Sequence, residues 1–336
     1  MVIPGAQKTY FCLKDLQMKK ILALAVALGL LTGCDDGDVT VEDIDFTAVQ
    51  ASRCGNLIYK IAGNEALILE LPDEGAFPND PSPEGSPNTF QINAVNRVVY
   101  RSYSGNVAQT TICGSIPPAS PTVTEEWTAT SGEIEISTVA LTVASNTLPG
   151  GETIDKYRHT IILRNVIFEK PSGSQLYETF DFGTFDTEAN DLSFSFDGNL
   201  SRCGIGALYD IAGPQGILLN LDPDLLANEV TPPGMPRTAL IGTDSNQLSY
   251  RLHETNAGPL TEDHFCGTPP AQPALVELWT GIAGEPGTSG IIEVTTTTNG
   301  SNFLHEIRLV NAYLQRGNST FKIADSYLLG QIITTP

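Results

Sequence analysis

Basic residues are scarce in this chain. Its 336 residues include 18 Lys and Arg against 39 Asp and Glu, a formal net charge of −21. Holding a phosphate backbone needs a basic face, and the only adjacent basic pair is Lys19-Lys20. A nucleic-acid partner is therefore excluded, as is charge-driven adhesion to anionic lipid. Long apolar runs are lacking too: Ile21 to Leu31 has 11 residues, against the roughly 20 that a helix needs to cross a bilayer. No GxSxG elbow, HExxH, P-loop or GxGxxG stands where its structural context would require it. What the chain does have is a globular composition, 41% hydrophobic and 17% charged. Its 31 Gly and 22 Pro make it loop-rich without reaching the roughly 25–30% of low-complexity chain. About two domains are expected from the length.

Met18-Lys19-Lys20, the apolar run Ile21–Leu31 and the small residues before Cys34 have the order of a signal peptide. Residues 1–17, with Lys8, Lys14 and Asp15, serve no step of secretion, so Met18 is the expected start. Leu31-Thr32-Gly33-Cys34 resembles the bacterial lipobox, whose cysteine takes a diacylglycerol and becomes the first mature residue. That resemblance implies a covalent lipid on Cys34 and no other cofactor; two or three acyl chains anchor stably where one does not. Asp35, Asp36 and Asp38 follow directly and make residues 34–39 an acidic tether. Like-charge repulsion keeps such a linker extended. The run also resembles the surface-export signal of Bacteroidota lipoproteins. A lone aspartate after the cysteine resembles the enterobacterial inner-membrane retention signal instead; the length of the acidic run favours the former.

An internal duplication organises the remainder. Ser52-Arg53-Cys54-Gly55 returns as Ser201-Arg202-Cys203-Gly204, and Ile61-Ala62-Gly63 as Ile211-Ala212-Gly213. Tyr100-Arg101, Cys113-Gly114, Trp127-Thr128 and Ser131-Gly132 return in the same order as Tyr250-Arg251, Cys266-Gly267, Trp279-Thr280 and Ser289-Gly290. His159 and Asn165 match His305 and Asn311. Two homologous domains are expected, residues 40–184 and 190–336, joined by a linker over 185–189. Tyr157, His159, Ile161, Leu163, Asn165 and Ile167 alternate with period two, as do Phe303, His305, Ile307, Leu309, Asn311 and Tyr313, which predicts one shared strand face in each copy. Further strands are expected at 57–61, 66–71, 89–93, 98–103, 125–130 and 133–143, and no helix after Cys34. The expected fold is all-β, two tandem sandwiches of Ig-like or jelly-roll-like outline.

Of six cysteines, Cys12 leaves with the leader and Cys34 is lipidated, which leaves two per copy. Four cysteines allow three pairings; the duplication selects Cys54 with Cys113 and Cys203 with Cys266. Each bridge closes a loop of about 60 residues, worth about 4 kcal/mol in the chain-entropy model. CxxC spacing is missing, which argues against zinc.

His159 and His305 are the only histidines at matching positions, and on a face of Ile and Leu they read as core imidazoles with Asn165 and Asn311 as partners. The best recurring polar group is Arg101, Glu125 and Trp127, repeated as Arg251, Glu277 and Trp279. If the strands are neighbours, Arg251 pairs with Glu277 and stacks on Trp279. That set either fixes strand register or, with an exposed indole, forms a platform for a sugar ring or a partner side chain. Two Pro-rich acidic loops, 72–88 and 222–237, are long enough to carry binding or to be surface excursions. Asp186, Glu188 and Asn190 follow a DxDxD rhythm, with Asp197 at the twelfth position; this makes a calcium candidate, though Asp191 stands where an EF-hand loop needs Gly.

As a whole the chain resembles secreted and surface lipoproteins of Bacteroidota with duplicated β domains. The resemblance implies an outer-membrane, surface-exposed address and says almost nothing of activity; the lack of a catalytic motif is what makes the expected role non-enzymatic, binding or scaffolding an envelope protein or a glycan. An accessory subunit or enzyme of surface carbohydrate processing, and a structural spacer, stand as alternatives.

Overall fold

The computed structural model describes residues 43–336 apart from Ile205 and the side chain of Glu74. The expected leader, the lipidated Cys34 and the acidic tether lie outside the described residues.

Residues 46–336 form one compact unit, almost wholly β. The first copy holds β1 (Ser52–Cys54), β2 (Leu57–Ala62), β3 (Glu65–Glu70), β4 (Asn88–Gln91), β5 (Arg97–Tyr103), β6 (Val123–Ala144), β7 (Glu152–Lys170) and β8 (Gly173–Glu188). They pair antiparallel in the order β1-β2-β3-β5-β6-β7-β8, with β4 against the far half of β6. The second copy repeats this with β9 (Ser201–Cys203), β10 (Ala207–Ala212), β11 (Gln215–Asn220), β12 (Arg237–Leu240), β13 (Gln247–His253), β16 (Asn302–Arg316) and β17 (Ser319–Thr334). There the counterpart of β6 is broken into β14 (Leu275–Gly281) and β15 (Ile291–Asn299). Each sheet is a meander in which only β4 or β12 leaves sequence order, and the two form sandwich-like domains. In the second copy Leu208, Ile217, Leu219, Tyr250 and Trp279 of one half pack with Ile292, Ile307, Leu309 and Phe321 of the other.

The expected strands are all present, with 125–130 and 133–143 fused into β6. Two short helices, Gln109–Cys113 and Asp263–Cys266, were not expected. At five and four residues they are too short to show a helical period, and each ends on a bridged cysteine. Cys54–Cys113 and Cys203–Cys266 are both disulfides, with Cα separations of 6.0 and 5.2 Å. Each staples its loop onto the outer sheet face, over small clusters that include Tyr59, Ile68 and Tyr103 in one copy and Tyr209, Leu218 and Phe265 in the other.

The expected single face of β7 and β16 does not hold along its length. Tyr157, His159, Ile161 and Leu163 are buried, but beyond them the buried residues are Val166 and Phe168. The switch lies at Asn165, whose φ is 48°, as it lies at Asn311, φ 47°. Ser131 pairs with Ile167 and Glu133 with Arg164, so Asn165 and Val166 together oppose Gly132. This is a β-bulge, and one extra residue turns the next side chains to the other face. Gly132 permits it: a Cβ there would lie 2.8 Å from the Val166 Cα.

The linker expected over 185–189 is strand for all but its last residue, since β8 runs to Glu188 with Phe185 opposite His159 and Glu188 opposite Lys156. The chain from 189 to 200 then enters the second copy's core, burying Leu192, Phe194 and Leu200. Phe194 stacks on Tyr250 with ring centroids 4.7 Å apart. Ile154 and Tyr157 of β7 join the same core. At the seam the Asp80 Oδ1 accepts the Asn318 N–H at 2.8 Å, the Ser319 N–H at 3.1 Å and the Ser319 hydroxyl at 3.2 Å. Arg316 donates to the Asn79 carbonyl at 2.8 Å. The Pro-rich loop 72–88 is thus a structural tie between the copies.

Candidate functional site

Register decides what the recurring Arg, Glu and Trp can do. Tyr100 lies opposite Trp127 and Arg101 opposite Glu126; in the second copy Tyr250 lies opposite Trp279 and Arg251 opposite Leu278. The tryptophans therefore share the inward face with tyrosine, and the arginines point outward. Trp127 is 2% exposed and Trp279 1%, so neither ring offers a platform to a ligand. Their indole N–H groups donate to Glu125 at 2.7 Å and Glu277 at 2.8 Å, two residues back on the same strand. The cation over each ring is not the expected arginine. Lys170 and Arg316, the last residues of β7 and β16, stand 4.8 and 5.2 Å from the ring centroids, and Arg316 also pairs with Glu277 at 3.4 Å. The alternation misled because Val276 and Leu278 are apolar yet exposed, at 50% and 43%.

The outward arginines part company. Arg101 pairs with Glu126 at 2.7 Å, and a second pair, Arg97 with Glu70 at 3.2 Å, lies on the same face. At the matching rungs of the second copy Asn220 faces Gln247 and Leu278 faces Arg251. Among the described residues no carboxylate pairs with Arg251. Its guanidinium donates to the His264 carbonyl at 2.6 Å and sits 5.5 Å from the Phe265 ring centroid. Burial alone moves it, lowering its pKa.

A groove of about 370 Å³ runs along this face of β11, β13 and β14, with Arg251 toward the disulfide-stapled loop. Leu218, Leu248 and Leu278 give it apolar lining, and Asn220, Gln247, Ser249 and Thr280 give it neutral polar lining. Gly242 and Gly281 keep its walls low. The Ser249 hydroxyl has no side-chain partner among the described residues, and Asn220 donates to Gln247 at only 3.5 Å, whereas Gln247 donates to the Thr243 carbonyl and the Thr280 hydroxyl to the Gln315 carbonyl at 3.4 Å. The size lies within the range of small-molecule sites. Nothing in the sequence pattern marked this groove except Arg251; the substitution of Glu126 by Leu278 at a matched rung is the signal that could have found it.

The remaining candidates are committed to structure. Asp186 takes Arg158 in two hydrogen bonds, Glu188 pairs with Lys156, Asn190 donates to Glu277, and Asp197 accepts the Asn199 N–H. The four do not converge, so the calcium reading fails, and the described residues hold no cluster of three metal-ligating side chains. His159 and His305 are each fully buried, and their partners are threonines, not Asn165 and Asn311. Thr138 meets His159 Nδ1 at 2.9 Å and Thr187 meets Nε2 at 3.0 Å. The Thr187 hydroxyl donates to Asn79 at 2.6 Å, so it must accept from Nε2–H, and Nδ1 accepts from Thr138. Thr296, His305, Thr334 and Asn228 repeat that relay. Burial, with Arg53 second, pushes the His159 pKa down to about 4. These imidazoles are neutral struts.

Compared with known proteins, the chain matches no family model, no curated protein and no solved structure.

Proposed function

We propose that this chain is a non-enzymatic, lipid-anchored protein of the cell envelope, held by acyl groups on Cys34 and facing the medium, that binds a protein or glycan partner. The observation that carries the binding role is the groove beside Arg251, where the second copy replaces the ion pairs of the first with neutral polar groups and one guanidinium lacking a carboxylate. The seam supports a division of labour: the first copy acts as a stem fixed to the second, which carries the groove. The histidine relays support a non-enzymatic reading, since both ring nitrogens of His159 and of His305 are hydrogen-bonded and buried.

Protease shaving of intact cells, with mass spectrometry of the Cys34 peptide, tests the address. Loss of the protein from intact cells and an acylated Cys34 are expected. Protection until lysis, or an unmodified cysteine, overturns the surface-anchored reading.

A further inference from the structure

The groove's chemistry goes further than a generic binding face. We infer that its occupant is a carboxylate-bearing saccharide, its acid group held by Arg251 and its hydroxyls by Asn220, Ser249 and Thr280. The inference rests on the proposal that this face binds a ligand. The charge argument is local. In a chain of net charge −21, Arg251 keeps most of its donors uncommitted, having given one hydrogen bond to a backbone carbonyl and its face to Phe265. A planar guanidinium fixed on one side presents its remaining N–H groups as a fork that a carboxylate matches. The first copy shows that this position takes a carboxylate: Glu126 occupies it at 2.7 Å from Arg101. In the second copy that acid is missing from the chain, and the ligand supplies it.

The rest of the lining selects a saccharide over a peptide. An extended peptide gains affinity by adding to a free sheet edge, but the groove lies on the face of β11 and β13, interior strands each paired on both sides. Amide and hydroxyl side chains donate and accept alike, which suits the hydroxyls of a sugar ring, and the half-exposed Leu278 gives its C–H face a floor. From Gln247 to Arg251 the groove runs about 13 Å at strand rise, room for a short oligosaccharide.

The test is calorimetric titration of the full chain in detergent with tetragalacturonate, its methyl ester and tetraglutamate, repeated with Arg251→Gln, Leu278→Glu and Ser249→Trp after their melting curves match wild type. Tetragalacturonate should bind, and Arg251→Gln and Leu278→Glu should each weaken it about 10- to 100-fold, the range for hydrogen bonds to a charged group. Ester and acid binding alike, both lost in Ser249→Trp, would overturn the carboxylate and leave the groove as a binding face. Tetraglutamate binding equally well with the same Arg251 dependence would overturn the saccharide. No binding of tetragalacturonate overturns the ligand class. Binding of acid and ester that survives all three variants places recognition elsewhere and overturns the groove reading itself.

Discussion

On the outer face of the first copy, Glu70 meets Arg97 and Glu126 meets Arg101; at the same rungs the second copy has Asn220, Gln247, Leu278 and Arg251. The inner faces barely differ: Tyr100 and Tyr250, Trp127 and Trp279, and Thr-His-Thr-Asn relays recur with near-identical geometry. A duplicated scaffold keeps what packs and changes what solvent sees. Core positions are constrained by volume and by polar atoms that must find partners, whereas exposed ion pairs contribute about 0–1 kcal/mol and can be lost without unfolding anything. The second copy was thus open to acquiring a neutral groove, and the contacts of Asp80 with Asn318 and Ser319 tie that copy to the first.

The largest effects should fall on the shared core and be equal in the two copies. Trp127→Ala and Trp279→Ala should each cost about 3–5 kcal/mol. Because the copies form one compact unit, each variant should lower a single melting transition in scanning calorimetry. Two separated transitions, one moved and one not, would show that the copies fold independently and would break the comparison.

Acid should act next, through the buried imidazoles. Burial first and Arg53 second hold His159 down to about 4; burial, Arg237 and Arg202 lower His305 in the same direction. An unfolded histidine takes its proton near 6.5, so the native state binds fewer protons between about pH 6.5 and 4. Stability is therefore present above that window and falls as pH drops through it, by about 3 kcal/mol for His159. Urea midpoints at pH 7.5, 5.5 and 4.5 check this, and His159→Gln should flatten part of the slope while leaving the contribution of His305.

Asp80→Ala tests the seam. It strips a carboxylate oxygen from two backbone N–H groups and a hydroxyl, and should cost about 1–3 kcal/mol. Splitting of the single transition into two would follow if this contact supplies the coupling. Asp222→Ala, which removes an acceptor only within the second copy, should lower stability without splitting.

Much of this molecule could be read from the chain. Repeated Cys54 and Cys203, Cys113 and Cys266 identified both copies and both bridges, and alternation placed β2 to β7 of the first copy but neither the short β1 nor the 16-residue β8. What alternation missed is non-local. The bulge at Asn165 depends on a glycine across the ladder, Gly132, and it and the bulge at Asn311 turn the side chains beyond them to the other face. The face of Trp279 follows from its pairing with Tyr250, whereas its neighbours Val276 and Leu278 suggest the opposite. The Pro-rich loop 72–88 looked like a surface excursion because its partners, Asn318 and Ser319, lie far along the chain.

The smallest expected effect sharpens the contrast most. Glu126→Leu gives the first copy the second's rung, and Leu278→Glu gives the second copy the first's. The pair in the first copy is partly solvated, its side chains 33% and 40% exposed, so Glu126→Leu should change stability by under about 1 kcal/mol. Leu278→Glu should be neutral or slightly stabilising and should make the urea midpoint newly sensitive to salt, since 1 M NaCl shortens the screening length to about 3 Å. If instead Leu278→Glu destabilises by more than about 2 kcal/mol, Leu278 is holding packing together, and the two outer faces differ in core structure and not in surface chemistry. A near-silent Leu278→Glu that gains a salt response would mean that the duplicated sheet tolerates either face, and that the fold does not require the carboxylate to be missing beside Arg251.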